Sequence, residues 1–272
     1  MIPSPKLRFV TFDGEARSGK GTIVQATKDY LRDHQGYKVM LVDLGQVFRV
    51  LVVAVTQAGV DMNDPAAIDA FLADPIQSKK SVQLVKDVYR MSKSERDGLL
   101  YTNEVGAGSA QVGARPLSQS FKDELLKKWL YDAALEGYDV VLLDGRALEE
   151  TGTMLEREGL GRFVAGLYFI CDAKVGARRT LGFAMTPYDR LSETDKYEVD
   201  ALVEQIYDRN QKDHDRKVQP VVPPLGAPTW VLPDMAPQAL QPRPMMIIDT
   251  SDDMTKQQMS QPVAEFVADV LA

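Results

Sequence analysis

The sequence has 272 residues, of which 44% are hydrophobic and 26% are charged, and its formal net charge is −7. These fractions exclude a disordered or fibrous chain, and the acidic balance argues against nucleic acid as the main partner. Every apolar run is far shorter than the roughly 20 residues of a membrane span, residues 1–8 lack the apolar core of a signal peptide, and the single cysteine, Cys171, excludes an internal disulfide. We therefore expect a cytoplasmic protein without a membrane partner.

Apolar runs and turn residues predict strands and helices that alternate along the chain. In chain order these are a strand at 7–12, a helix at 22–34, a strand at 37–42, helices at 45–58, 65–73, 81–97 and 118–135, strands at 138–143 and 165–171, a helix at 198–216, a strand at 245–248 and a helix at 255–271. This alternation indicates an α/β fold with a parallel sheet, in which ligands bind beyond the carboxyl ends of the strands. The proline-rich residues 220–244 predict an extended surface loop.

A glycine-rich segment directly follows the first predicted strand and opens the first helix. The backbone N–H groups of such a turn converge on a phosphate, the helix N-terminus adds positive potential, and the lysine reaches the outer phosphates. The alternative, a plain glycine-rich turn, leaves Lys20 without a purpose. We therefore predict a nucleotide site, of the kind that binds ATP, at Gly14, Glu15, Ala16, Arg17, Ser18, Gly19, Lys20, Gly21 and Thr22.

The chain resembles the bacterial cytidylate kinase family in six segments that follow one another in the same order. These are residues 11–22, 42–51, 102–105, 141–146, 208–216 with Pro220, and 248–251. The resemblance implies one domain over residues 1–272 with a three-layer P-loop NTPase fold, a monophosphate-binding insert at 60–112 and a short lid at 178–195. It also implies a monomeric enzyme that uses ATP and Mg²⁺ to phosphorylate a small nucleotide, most simply CMP or dCMP.

The resemblance further implies roles for individual residues. Phosphoryl transfer needs positioning and positive charge around the transferring group, and the guanidinium of arginine matches phosphate oxygens with two hydrogen bonds. Catalysis is implied for Lys20, for Arg146 and, in the lid, for Arg178 and Arg179. Acceptor binding is implied for Asp43, Gly45, Arg49, Lys122, Asp144, Gly145, Arg146, Arg209, Asp213 and Arg216.

Plainer interpretations stay open for several of these residues. Arg49 also fits a solvated helix arginine, Arg209 and Asp213 fit a surface ion pair, and Lys122 fits an outward-facing helix lysine. Oxygen donors beside a phosphate loop suit magnesium that is held mainly through water. The sequence therefore predicts a metal site with Asp13, Thr22 and Asp144 as candidate ligands. The alternative is that the two aspartates cap helices.

Three positions depart from the family pattern in places that recognise the base, the ribose or the acceptor phosphate. Leu44 stands where the family has a serine, Ala147 where it has an aspartate, and Tyr101 where it has an arginine. These changes leave two other functions open: a kinase of the same fold for another acceptor, such as dTMP, UMP or a nonstandard nucleotide, and a nucleotide-binding protein without catalysis. With fewer polar anchors, we expect relaxed selection among pyrimidine acceptors.

Overall fold

The computed structural model describes residues 7–216, 219–234 and 245–272. The strands are β1 (Arg8–Gly14), β2 (Val39–Asp43), β3 (Val140–Asp144), β4 (Arg162–Ile170), β5 (Thr229–Val231) and β6 (Met245–Asp249). The helices are α1 (Lys20–Asp33), α2 (Leu44–Gln57), α3 (Pro65–Ala73), α4 (Pro75–Arg90), α5 (Lys93–Leu100), α6 (Asn103–Gly113), α7 (Pro116–Leu135), α8 (Leu148–Arg157), α9 (Ala173–Thr180), α10 (Glu193–His214) and α11 (Lys256–Leu271). Within the described residues, no helix is both long enough and apolar enough to cross a membrane.

The six strands form one parallel sheet in the order β2-β3-β1-β4-β6-β5. In this sheet β1 lies between β3 and β4, and Phe12 of β1 is opposite Asp144 of β3 on one side and Leu167 of β4 on the other. The carboxyl ends of β1 and β3 therefore meet at one edge of the sheet, where residues 14–22 and 144–147 begin their loops. The predicted α/β fold with a parallel sheet is confirmed.

The chain divides into two compact units, and the first contains residues 1–42 and 130–272. Its core joins the central strands to helices, because Phe12 and Phe169 stack with ring centroids 6.0 Å apart while Ile23 of α1 and Val263 of α11 are fully buried in the same cluster. Trp230 of β5 belongs to this cluster too. These buried side chains fix the sheet edge from which the phosphate loop starts.

The second unit, residues 43–129, is helical in all its described regular structure. Its helices begin at capping side chains, which satisfy N–H groups that the first turn leaves without partners. Asp64 accepts hydrogen bonds from the first turn of α3, and Ser92 and Glu95 form a reciprocal capping box at α5. Its core contains Leu51 and Val112, both fully buried.

The structure corrects the predicted helix at 81–97 and the start of the predicted helix at 198–216. The first is two helices, α4 and α5, because Met91 is extended and Ser92 caps a new helix. The second begins five residues earlier, at Glu193, where Ser192 accepts a hydrogen bond from the N–H group of Asp195. Helices α6, α8 and α9 were not predicted.

The proline-rich segment is only partly the predicted surface loop. Thr229–Val231 pairs with β6 at the edge of the sheet, and Trp230 between them is 2% exposed. The interpretation of residues 220–244 as an extended surface loop is therefore wrong for these three residues, and residues 235–244 lie outside the described part of the chain.

Candidate active site

The predicted phosphate loop, residues 14–22, connects β1 to α1. Gly14 has a φ of 132°, and a Cβ there would lie 2.2 Å from the backbone oxygen of Phe169, so a side chain does not fit. Gly19, with a φ of 83°, is the N-cap of α1. Ser18 is buried, and its carbonyl accepts a 2.8 Å hydrogen bond from the Thr250 hydroxyl. These contacts hold the loop in one shape.

The backbone N–H groups of the loop fall into two sets. Those of residues 14–16 donate to the Asp13 side chain at 2.6 Å, to the Phe169 carbonyl at 2.9 Å and to the Asn210 side chain at 2.9 Å. Within the described part of the chain, the N–H groups of residues 17–21 donate to no protein oxygen. Such a run of donors at a helix N-terminus is the arrangement that binds a phosphate group.

Lys20, the first residue of α1, forms an ion pair with Asp144 at the end of β3. The two side chains are only 16% and 14% exposed, so the pair is partly shielded from water. Thr22 lies exposed in the same helical turn as Lys20. The structure thus places the predicted lysine beside one of the predicted metal-binding carboxylates.

The donor set at this edge suits Mg²⁺, which prefers hard oxygen ligands and keeps several waters. The Thr22 hydroxyl and the Asp144 carboxylate are oxygen donors of this kind. Among the described residues, no three His, Cys, Asp or Glu side chains are grouped so that they could hold a metal. A magnesium ion bound here would take its other ligands from nucleotide phosphates and water.

Asp13, the third candidate ligand, is used differently. It is 8% exposed, and its two oxygens accept backbone hydrogen bonds from Gly14 at 2.6 Å and from Leu148, the first residue of α8, at 2.7 Å. Burial raises the pKa of Asp13, although these hydrogen bonds and the charge of Lys20 act against that rise. The side chain caps a helix, as the plainer interpretation holds, and it suits a metal less well than Asp144.

Asp213 of α10 gathers three arginines that the sequence analysis assigned to acceptor binding. Asp213 is 4% exposed and forms ion pairs with Arg146 and Arg216, while Arg209 Nε lies 3.9 Å from its Oδ2 atom. Burial, followed by the charges of Arg209 and Arg216, lowers the pKa of Arg146 to about 9, which leaves it charged at neutral pH. Asp213 and Arg146 are thus largely buried while Arg209 is 53% exposed, and the cluster of three arginines around one carboxylate carries surplus positive charge.

A cavity of about 210 Å³ opens beside this cluster in the first unit. Its wall includes Glu15 of the phosphate loop, whose pKa is raised by burial, and Tyr168, whose pKa is also raised by burial. Glu15 of the predicted phosphate loop and two members of the arginine cluster, Arg146 and Asp213, thus border one space. The full lining is Glu15, Arg146, Tyr168, Tyr207, Asn210, Gln211, Asp213, His214, Val221 and Pro223.

Asn210 is a site residue that the sequence analysis did not single out. Its side-chain oxygen accepts the N–H group of Ala16, so it ties α10 to the phosphate loop across 194 positions of sequence. The available signal was its place beside Arg209 in the segment 208–216. Gly145, which was predicted, donates its N–H group to the Phe12 carbonyl at 3.1 Å and so continues the pairing of β3 with β1.

The two arginines of the predicted lid are held by the loop after β6. Arg178 is 6% exposed and binds the Asp253 carboxylate through both Nη atoms, at 3.1 and 2.7 Å. Arg179 donates to the carbonyl of Thr250 at 2.5 Å and to that of Asp252. In this structure the two side chains anchor α9 to that loop, and their role in catalysis stays a prediction.

In the second unit, three predicted acceptor residues lie at the start of α2. The Asp43 carboxylate caps this helix, and a Cβ on Gly45 would lie 3.1 Å from the same carboxylate. Arg49 donates from Nη1 to the Leu100 carbonyl at 2.8 Å, and its guanidinium carbon lies 4.5 Å from the ring centroid of Tyr101. Arg49 is therefore not the solvated helix arginine of the plainer interpretation.

Lys122 of α7 is also different from its plainer interpretation. It is 2% exposed, and its ammonium lies 3.0 Å from the carboxylate of Asp123, which is 28% exposed. The interpretation of Lys122 as an outward-facing helix lysine is therefore wrong. A buried ammonium is costly unless anions balance it, so the position is suited to an anionic group.

Comparisons with known proteins point to one family. A family model described as cytidylate kinase matches residues 10–232. The chain is 24% identical over 226 residues to the cytidylate kinase of Colwellia psychrerythraea, an alignment that covers 81% of this chain and 86% of that protein. It is 26% identical over 257 residues to the cytidylate kinase of Bacillus pumilus, covering 91% and 97%, and 27% identical over 223 residues to that of Shewanella amazonensis, covering 81% and 85%.

Proposed function

The chain belongs to the cytidylate kinase family, and on that premise we propose that it transfers the γ-phosphoryl group of ATP to CMP or dCMP. Membership of the family makes the protein a nucleoside monophosphate kinase. The observation that carries the finer proposal lies in the first unit, where Glu15 of the phosphate loop and the ion-paired Arg146 and Asp213 line one cavity. A phosphoryl-transfer enzyme needs such a phosphate cradle and such a surplus of positive charge.

For the phosphate donor, we propose binding by residues 14–22. The N–H groups of residues 17–21 bind phosphate oxygens, and Lys20 neutralises the outer phosphates. Because Asp144 pairs with Lys20, the ammonium is already oriented toward the carboxyl ends of the strands. Magnesium held by Thr22 and Asp144 would supply further neutralisation of the phosphate charge.

For the acceptor in the first unit, we propose Arg146, Arg209 and Arg216. Asp213 orders these guanidinium groups through its ion pairs, and their remaining N–H groups bind phosphate oxygens in pairs. Arg146 also stabilises the transferring group, since it follows Asp144 and Gly145 at the end of β3. Residues 178–195 form the proposed lid, and Arg178 and Arg179 contribute to it only after they release the loop that follows β6.

For the acceptor in the second unit, we propose Arg49 and Lys122 as phosphate ligands. Asp43 and Gly45 shape the first turn of α2 from which Arg49 projects. Both cations have restricted surroundings, since Arg49 is held by Leu100 and Lys122 is buried. A held cation loses less side-chain entropy on binding a phosphate than a mobile one does.

A kinase for another monophosphate is the second candidate. It is favoured by Leu44, which is 2% exposed and offers no hydrogen bond, and by Ala147, whose methyl side chain cannot accept one. A pocket with fewer polar anchors discriminates less among acceptors, because an analogue then leaves fewer polar groups unpaired. We therefore propose CMP and dCMP as preferred acceptors with only modest discrimination against UMP and dTMP.

A coupled assay that measures the release of ADP, with CMP, dCMP, UMP and dTMP as acceptors, tests the proposal. We expect kcat/KM to be highest for CMP or dCMP, with no single acceptor preferred by more than about 10³-fold. Turnover with none of the four would contradict the proposed reaction, and a clear preference for UMP or dTMP would favour the second candidate. A preference for one acceptor above about 10³-fold would contradict the relaxed specificity.

A matched pair of lysine variants on α1 checks that the phosphate loop performs the transfer. Lys20→Ala should lower kcat by at least about 10²-fold, the scale of removing one preorganised charge. Lys28→Ala, on the same helix but outside the loop, should leave kcat unchanged. Similar turnover in both variants would reject the role of Lys20.

A further inference from the structure

Tyr101 occupies a position that the mechanism proposed above does not use. It is 48% exposed, so it contributes little to the core of the second unit. The face of its ring lies against the Arg49 guanidinium, with the guanidinium carbon 4.5 Å from the ring centroid. A guanidinium at this distance is attracted by the electron-rich face of the ring.

Arg49 is restrained from a second direction. Its Nη1 atom donates to the Leu100 carbonyl at 2.8 Å, and Leu100 precedes Tyr101 in sequence and is itself fully buried. The ring face and the carbonyl thus restrain the guanidinium from two sides. The guanidinium has five N–H donors, so most of them remain for a ligand.

The phenol of Tyr101 lies close to α2. Burial raises the pKa of the Tyr101 phenol, and the charge of Arg49 and the side chain of Gln46, which is 9% exposed, act against that rise. Gln46 precedes Arg49 by three residues on α2, so the two side chains leave the same face of the helix about 4.5 Å apart along its axis. Arg49 and Tyr101 thus form one connected pair between α2 and the end of α5.

We propose that Tyr101 is a positioning residue that presents Arg49 to the phosphate of the acceptor nucleotide. The proposal rests on the proposed function, in which Arg49 binds that phosphate. In the family that the sequence resembles, an arginine stands at this position, so this chain has one cation fewer and instead restrains the remaining one. A preoriented guanidinium binds phosphate more tightly because less side-chain freedom is lost on binding.

The test compares Tyr101→Leu, which removes the ring face, with Tyr101→Phe, which keeps it. We expect Tyr101→Leu to raise the KM for the acceptor about three- to ten-fold, the scale of one cation–π contact, with the KM for ATP unchanged. Tyr101→Phe should stay close to the parent protein. Tyr131→Leu, which replaces another tyrosine that is 57% exposed, serves as the matched control and should change neither KM.

A double-mutant cycle with Arg49→Met separates positioning from a general structural effect. In the Arg49→Met background, Tyr101→Leu should cause no further rise in acceptor KM, because the group that Tyr101 positions is gone. An equal rise in both backgrounds, an equal rise in the KM for ATP, or an unchanged acceptor KM in Tyr101→Leu would each overturn the proposal.

The same cycle distinguishes this proposal from the proposed function. If Arg49→Met leaves the acceptor KM unchanged, the assignment of Arg49 to the acceptor fails, and the role of Tyr101 fails with it. If Arg49→Met raises the acceptor KM but Tyr101→Leu does not, only the role of Tyr101 fails. Thermal unfolding of each variant, measured by circular dichroism, should show midpoints close to that of the parent; an unfolded Tyr101→Leu protein would overturn the positioning role in favour of a structural one.

Discussion

Asp13 and Leu148, which are 135 residues apart in sequence, are joined by a 2.7 Å hydrogen bond from the Leu148 N–H group to Asp13 Oδ2. The bond links the end of β1, where the phosphate loop starts, to the first residue of α8. Ala147, the N-cap of α8, has no side chain that could cap the first turn of this helix. A residue proposed for metal binding from sequence therefore performs the capping that the local sequence lacks.

Replacement of Asp13 should destabilise the protein. Asp13→Ala leaves the N–H groups of Gly14 and Leu148 buried without acceptors, and we expect a loss of about 2–4 kcal/mol in the free energy of unfolding. Asp13→Asn keeps one oxygen and should lose about half of that. Urea unfolding measures both values, and Asp33→Ala, an exposed aspartate on α1, should leave the stability unchanged. An Asp13→Ala protein as stable as its parent would contradict the capping role.

The raised pKa of Asp13 predicts a specific dependence of stability on pH. Burial raises the pKa of Asp13 in the folded state above 3.8, the ordinary value of an aspartate, so the folded protein binds more protons than the unfolded chain between these two pKa values. The contribution of Asp13 to stability is therefore fully present below pH 3.8 and declines as the pH rises through the pKa of the folded state. Unfolding curves from pH 4 upward should show this decline in the parent protein and a smaller one in Asp13→Asn; equal slopes would contradict it.

The parts of the fold that local chemistry determines were predictable from sequence. The helix at Pro65–Ala73 was predicted with its bounds, because Asp64 as N-cap and Pro65 at the first helical position are local signals. The phosphate loop was predicted for the same reason, since Gly14 and Gly19 adopt positive φ values within a few residues of one another. The spacing of Arg209, Asp213 and Arg216 predicted that they lie together, although Arg216 follows the end of α10 at His214.

The rest depends on contacts between distant residues. The start of α8 has no cap of its own and needs Asp13, and Arg146 joins Asp213 from 67 positions away, through the fold of the sheet. Thr229–Val231 is a strand only because β6 pairs with it and Trp230 is buried. The burial of Lys122 could not be predicted from helical periodicity either, because a polar residue at a buried position weakens the apolar pattern and gives no signal of its own.

Ala147 has a φ of 54° and a ψ of 50°, a left-handed conformation that is unfavourable for alanine. Ala147→Gly should remove the steric cost of the Cβ at the expense of some chain entropy, and we expect a net gain of about 0.5–1 kcal/mol in the free energy of unfolding. Ala134→Gly, at a helical position of α7, should instead cost about 1 kcal/mol. Chemical unfolding compares the two, and a loss of stability in both would show that Ala147 is not strained.

Lys122 offers a test in which stability and function should change in opposite directions. Lys122→Met combined with Asp123→Asn removes both charges of the ion pair and keeps the side-chain lengths, so the free energy of unfolding should stay the same or rise, as it does when other buried ion pairs are replaced by uncharged groups. If Lys122 binds the acceptor phosphate, the same change removes one charge-assisted hydrogen bond, and the acceptor KM should rise about ten-fold or more. Lys79→Met, at an exposed position of α4, should alter neither quantity. Steady-state kinetics with the best acceptor, combined with urea unfolding, would reveal the alternative: a marked loss of stability with an unchanged acceptor KM would make Lys122 a structural residue.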